Sequence, residues 1–291
     1  MSDPIVVKTV EELKDAPEEY QAAIAKLVIS HAVNELYGAQ VFDEPAIAYA
    51  PTPYAKWLTC RVAMEEYGHH VRFKQLGTQM GIPEDRMLPG AGKKPLSIFE
   101  FPLKNWEEFV AIKLLADLAE VLQVEDLLHC TFHPLRNVAR ATMPEERFHA
   151  QFGEDFSAEL VKTPDGKARL QAAVNEYYPY LPSFFGGSKS KNNEIFRKWK
   201  IKQPPTMKCA RTTCCVPPKW PPSTASRCRR FARPRKPRDM SPVVALPGPQ
   251  LYALRAEVLA ASWFAALGEP LTDSDRSDAS AYAEALGFGS L

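Results

Sequence analysis

Glu66 to His69 reads EYGH and Glu146 to His149 reads ERFH, two copies of Glu-x-x-His, each inside a stretch with helical periodicity. Residues three apart share a helix face, so each copy presents a carboxylate and an imidazole together toward whatever that helix packs against. One such pair on a charged helix is ordinary and usually solvated. Two pairs, accompanied by single acids on two further helices, match a carboxylate-bridged dinuclear metal site inside a four-helix bundle. The fold class that follows is all-α.

Working outward, the helix beginning near Pro17, PEEYQAAIAKLVISHAVNELYGAQVF, carries Ile24, Val28, His31 and Glu35 on one stripe at helical spacing. Glu35 is its ligand candidate, and His31, one turn earlier, reads as a core residue or a support for a ligand. Asp43 to Pro53 is expected to form a loop, with DEP and APTP as stop signals. Thr52 and Pro53 then cap and open the helix that holds Glu66 and His69. Trp57, Cys60, Met64, Val71 and Met80 are expected to bury that helix. Gly81 to Pro102 is a long turn-rich link containing PGAGKKP, suited to a crossover and to a substrate-facing loop.

A third helix is expected from Leu103 to His129, apolar over much of its circumference and therefore central. It offers Asp117 and, one turn later, Glu120, and the residues themselves do not choose between them. The fourth, PLRNVARATMPEERFHAQFGEDFSAELVKT, contains Pro144, and Thr142 followed by Glu145 forms a capping-box pattern. Either this helix kinks there or a new helix begins just before the ligand pair. A fifth helix covers DGKARLQAAVNEYYPYL, and SFFGGSKSKNNEIFRKWKIKQ reads as a surface segment with aromatic anchors. The first fifteen residues read as a short strand or loose arm.

The candidate ligands are thus Glu35, Glu66, His69, Asp117 or Glu120, Glu146 and His149. Four carboxylates and two imidazoles neutralise most of the charge of two metal ions, and oxygen and nitrogen donors suit iron or manganese where thiolates would favour zinc. Glu65, Glu145 and His70, adjacent to the ligands, are expected to point elsewhere.

Composition sets the outer limits. With 291 residues and 45% hydrophobic content, the chain has material for one domain of about 200 residues plus an appendage. No apolar run is long enough to span a bilayer, and MSDPIVVKTVEELKD has no basic start followed by an apolar stretch, so a soluble cytoplasmic protein is expected. Only Cys60 and Cys130 precede the last third; Cys209, Cys214, Cys215 and Cys228 have no matching histidines, which argues against a disulfide framework and a zinc site. The net charge of +1 conceals two unlike regions, because Pro204 to Arg238 holds ten Lys or Arg and no acid. The rest is acidic, which excludes nucleic acid as a partner of the folded part. Residues 1–203 are therefore expected to form the folded domain. Residues 204–291 read as an irregular Pro-, Arg- and Cys-rich tail unable to build a packed core.

The ligand segments resemble those of the phenylacetic acid catabolic protein family, specifically the catalytic subunit of a bacterial phenylacetyl-CoA ring 1,2-epoxidase. The likeness runs from about Ala22 to Gln203 on HAVNEL, EEYGH, LLADLAE, EERFHAQFG and FRKWKIKQP. The resemblance implies a ferritin-like four-helix bundle with a diiron ligand set of Glu35, Glu66, His69, Asp117, Glu146 and His149. It selects Asp117 over Glu120, and makes Glu35, Glu66, Asp117 and Glu146 the catalytic carboxylates.

It also implies a monooxygenase that places one atom of O2 on the aromatic ring of a CoA thioester, the other atom leaving as water, in phenylacetate catabolism. The electrons would come from NADPH through a separate FAD and iron–sulfur reductase, since no dinucleotide-binding fingerprint occurs here. A homologous structural subunit and small coupling subunits are the further partners implied. Lys93 and Lys94 in the long link are candidates to meet the CoA phosphates. Tyr67, Leu118 and Pro144 depart from the family pattern beside the ligands, which implies an altered pocket and a related thioester.

The family continues with an acidic amphipathic segment similar to PTNDEMRAHYV where the tail begins. Codons for such a segment, read one base out of phase, yield TMKCARTTC, the string at Thr206 to Cys214. The tail therefore reads as a frameshifted segment, the competing reading being a genuine basic disordered tail that binds nucleic acid. A ferritin-like iron handler and a noncatalytic structural subunit are the other function classes compatible with the pattern.

Overall fold

The computed structural model describes residues 5–90, 99, 102–178, 180 and 190–202. These form α1 (Glu18–Gly38), α2 (Glu44–Tyr49), α3 (Pro53–Gln79), α4 (Trp106–Leu127), α5 (His133–Leu160), α6 (Pro164–Tyr177) and α7 (Lys191–Lys198). No helix among the described residues is long and apolar enough to cross a membrane. Lys93, Lys94 and the whole of the basic tail lie outside the described residues.

Local chemistry explains the helix starts. Thr52 accepts from the Ala55 amide at the head of α3, Asn105 from Glu108 in α4 and Thr163 from Gly166 in α6, each satisfying a donor that the first turn leaves free. Asn105 therefore starts α4 three residues later than its apolar run suggests. The amino-terminal arm is pinned by a single bridge: Val7 N–H donates to Thr131 O, and His133 N–H to Val7 O, both at 2.9 Å.

The bundle is ferritin-like. α1 and α3 run antiparallel, with Val28 against Gly77 and the His70 ring nitrogen 2.7 Å from Ala32 O. α4 and α5 form the second antiparallel pair, brought close by Gly153. A Cβ there would lie 2.3 Å from Leu114 N and 2.4 Å from Lys113 C, so only glycine lets the two backbones touch. α4 is enclosed on nearly every side, as its apolar circumference requires.

Two apolar clusters fill the interior. One gathers Ile24, Val28, Phe73, Val121 and Leu135 at one end of the bundle. The other gathers Phe42, Val62, Phe109, Leu115 and Phe152 around the opposite end and α6.

Four expectations change. Asp43 to Pro53 is not a loop, because a π-helical turn, Ala39–Asp43, runs straight into α2. Pro45 lies in the first turn of α2, directly after the π-helical turn, and the chain passes through it in helical geometry instead of stopping. At Pro144 no new helix begins and no capping box forms: α5 is one helix through it, the first of the two alternatives, and the buried Thr142 hydroxyl has no hydrogen-bond partner among the described residues. A proline removes one backbone bond, and the long contact with α4 holds the flanking turns in place.

The expected burial of α3 by Trp57, Cys60, Met64 and Val71 is also overturned. Trp57 is 62% and Met64 66% exposed, and Val71 and Cys60 are exposed with them. The opposite face, with Val62, Glu66, His69, Phe73 and Leu76, turns inward, because Glu66 and His69 fix the helix rotation. Met80 is partly buried against the first cluster.

Candidate metal centre

Between the two apolar clusters lies a polar layer. Glu35 from α1, Glu66 and His69 from α3, Asp117 from α4, and Glu146 and His149 from α5 all turn inward and are buried. Three sets of side-chain donor atoms lie within 4.8 Å of one another: Glu35, Glu66, His69 and Glu146; Glu66, Asp117 and His149; and His31, Glu35 and Glu120. All six candidate ligands are thus brought into one layer, and Glu66 belongs to two of the sets.

The two glutamates of the repeated motif each reach both imidazoles. Glu66 Oε2 lies 3.5 Å from His69 Nδ1 and its Oε1 3.1 Å from His149 Nδ1. Glu146 Oε1 lies 3.1 Å from His69 Nδ1 and its Oε2 4.0 Å from His149 Nδ1. Glu35 adds an oxygen 3.6 Å from His69 Nδ1. Among the described residues, both Nδ1 atoms and Glu146 Oε1 are buried without a hydrogen-bond partner. Orphaned donor atoms of hard and borderline type on α3 and α5, in a layer to which four helices contribute, could hold a metal ion.

The outer ring nitrogens are fully engaged, and in a crossed pattern. His69 Nε2 is 2.9 Å from Glu145 on α5, and His149 Nε2 is 2.9 Å from Glu65 on α3. Each carboxylate is held in turn by an arginine of α3, Arg72 Nη2 donating to Glu145 at 2.8 Å and Arg61 Nε to Glu65 at 2.8 Å. Carboxylates in this position fix ring orientation and leave Nδ1 as the inward donor. Glu65 and Glu145 do point away from the centre, as the sequence reading had it. What that reading missed is that each orients the imidazole of the other motif. The doubled acids in EEYGH and EERFH were the available signal.

His70 ties α3 to the α1 backbone. His31 stacks on Phe73 and lies 3.5 Å from Glu120 and 3.6 Å from Glu35. Asp117 sits with Glu66 and His149, whereas Glu120 sits one turn away with His31. Tyr67 turns outward and donates to Glu44 at 2.6 Å.

A buried lysine completes the layer. Lys113, one turn before Asp117, is 2% exposed, with Nζ 2.7 Å from Asp43 Oδ1, 2.9 Å from Glu66 Oε1 and 3.1 Å from Asp117 Oδ2. Asp43 reaches it because the π-helical turn directs that residue inward, where it is 1% exposed. The signal in sequence was one lysine in the apolar run of α4; neither it nor Asp43 was singled out.

Burial and partners compete over the charge of these groups. Burial disfavours the Lys113 ammonium, but Asp117, Asp43 and Glu66 outweigh it and hold its pKa well above the usual range. Burial likewise opposes charge on His149, yet Glu66 and Glu65 raise it to about 10, and Glu146 and Glu145 raise His69 further. Glu66 is held low by Lys113 and His149 against its burial, whereas burial prevails at Asp117 and Glu146 and raises both. Without metal, protons and the ammonium supply the positive charge that the carboxylates require.

A cavity of about 260 Å³ reaches this layer between α1, α4 and α7. Glu35, Asp117 and Glu146 form part of its floor, while Lys26, Asn193 and Lys202 line it further out. Among the described residues that line it, Tyr67 and Leu118 do not occur.

No curated protein matches the chain. A family model described as phenylacetic acid catabolic protein matches residues 1–211.

Proposed function

Because the chain belongs to the phenylacetic acid catabolic protein family, and so has a role in phenylacetic acid catabolism, we propose that it is the oxygen-inserting component of a diiron monooxygenase. Its substrate is the aromatic ring of a CoA thioester such as phenylacetyl-CoA, and its product the ring 1,2-epoxide. The observation that carries this reading is the convergence of Glu35, Glu66, His69, Asp117, Glu146 and His149 between two apolar clusters, with Glu66 and Glu146 each spanning both imidazoles.

In this reading Glu35, Glu66, His69, Asp117, Glu146 and His149 would hold two metal ions, with Glu66 and Glu146 in reach of both imidazoles. Two iron ions, once bound and reduced, would supply the electrons that activate O2, one oxygen atom going to the ring and the other to water. The protein's share is positional. Glu65 and Glu145 hold the imidazoles, the flanking clusters exclude bulk water, and the cavity admits the ring end of the substrate over Glu35, Asp117 and Glu146.

Lys26 and Lys202 line the outer cavity and are the cations that the described residues offer to CoA phosphates; Lys93 and Lys94 are held to the same role. NADPH reaches the centre only through a separate flavin and iron–sulfur reductase, and a homologous structural subunit with small coupling subunits completes the complex. Residues 1–203 form the catalytic unit, with residues 204–291 as a frameshifted appendage.

The test is iron content and turnover. The full chain, co-expressed with its partner subunit, is expected to hold two irons and to consume O2 with phenylacetyl-CoA in the presence of reductase and NADPH. The Glu66→Ala/Glu146→Ala chain is expected to lose the iron. A folded wild-type chain that takes up no iron would move the reading to a noncatalytic structural subunit.

A further inference from the structure

The two halves of the centre are chemically unequal. Among the described residues, Glu35, Glu146 and Glu66 Oε2 are faced by imidazoles. Around Glu66, Asp117 and His149 there is also a lysine: Lys113 Nζ sits 2.9 Å from Glu66 Oε1 and 3.1 Å from Asp117 Oδ2. Glu66 Oε1 is the same oxygen that faces His149 Nδ1 at 3.1 Å. An ammonium this close takes one lone pair on each of these oxygens and offsets their charge, so a cation entering between them meets its repulsion at short range. The lysine has one further partner, Asp43 at 2.7 Å, which belongs to none of the three donor sets. Asp43 is buried by the π-helical turn, which also turns Ala39 and Phe42 inward.

We propose that Lys113 is the resident counter-ion of the second metal position, so that the centre fills in order. The position built on Glu35, Glu66, His69 and Glu146 takes metal first and tightly. The position built on Glu66, Asp117 and His149 takes metal second and more weakly, as the ammonium gives up Glu66 and Asp117 and withdraws onto Asp43. The proposal rests on the dinuclear reading above and adds to it an order of loading and the residue that sets it. The cation stays in the protein throughout, so a single bound metal leaves no uncompensated carboxylates behind.

The probe is Mn(II), which is redox-stable, titrated into the metal-free full chain by equilibrium dialysis with an electron paramagnetic resonance readout of free ion. Wild type is expected to bind one ion tightly and a second at least tenfold more weakly. Lys113→Met is expected to tighten the second step at least tenfold and leave the first within a few-fold. Asp43→Asn is expected to act in the opposite direction and weaken the second step, because the displaced ammonium loses its refuge. A purely structural role for the lysine would weaken both steps in both variants.

Two equal sites in wild type would overturn the ordered filling and leave the dinuclear reading standing. So would variants that shift both steps in the same direction. No Mn(II) or iron uptake by the folded wild-type chain would overturn both. If Lys113→Met does not fold, wild type and Asp43→Asn decide the matter between them: an unchanged second step in Asp43→Asn overturns the proposal.

Discussion

His69 and His149 each present Nδ1 to the centre because Nε2 is held from outside by the acid that precedes the other motif's glutamate. Replacing Glu145 or Glu65 by Gln keeps the size and one acceptor but removes the charge that favours the ligating tautomer. Each single variant is expected to lose roughly 10- to 100-fold in metal affinity with little change in fold, measured by competition with a chelator of known affinity. The same residues give the metal-free protein a pH dependence of definite sign. His149 is raised from 6.5 to about 10, so the folded state binds a proton that the unfolded state releases. That contribution is complete below about pH 6.5 and disappears as the pH rises through about 10. Thermal melting of the metal-free chain is therefore expected to fall between those limits. In the metal-loaded chain it is expected to rise, because ligation needs the neutral imidazole. The inward-facing pairs Glu66 with His69 and Glu146 with His149 could be read from spacing, whereas the choice of Asp117 over Glu120 came from the resemblance. The crossed support could not, because it depends on the antiparallel register of α3 against α5.

Among the elements, α4 and α5 are positioned by one missing side chain. At Gly153 a Cβ would press on the backbone of Lys113 and Leu114, and backbone cannot step aside as a side chain can. Gly153→Ala is expected to destabilise the fold by about 3 kcal/mol, at the upper end of what overpacking usually costs, and to lower metal content by moving Lys113 and Asp117 off the layer. Urea denaturation with parallel metal analysis checks both. Helix positions were largely legible: Thr52 announced its cap, whereas Asn105 and Thr163 cap α4 and α6 without having been singled out. Two errors have physical causes. The stretch after Asp43 held a proline that sequence reading took for a stop, although proline is equally at home in a first turn. The stripe of Trp57, Met64 and Val71 on α3 was taken as buried because periodicity reports which residues share a face, not which of two faces turns inward. The pair Glu66 and His69 decided that rotation.

For the molecule as a whole, the bundle class followed from ligands distributed over four helices, and membership of the phenylacetic acid catabolic protein family agrees with it. The cavity was not legible, since its walls come from residues as distant in sequence as Ser30 and Phe196. The polar layer between the two apolar clusters has a consequence for cooperativity. Each cluster draws on both helix pairs, and the seam between them is made of charged groups whose mutual attraction depends on what neutralises them. Metal ions bridging Glu66 and Glu146 would couple the two ends of the bundle into one unfolding unit. With the ions stripped, calorimetry is expected to resolve two overlapping transitions, with a calorimetric enthalpy larger than the van't Hoff value, where the loaded protein shows one. The centre would then act as the joint through which two half-cores melt together or apart.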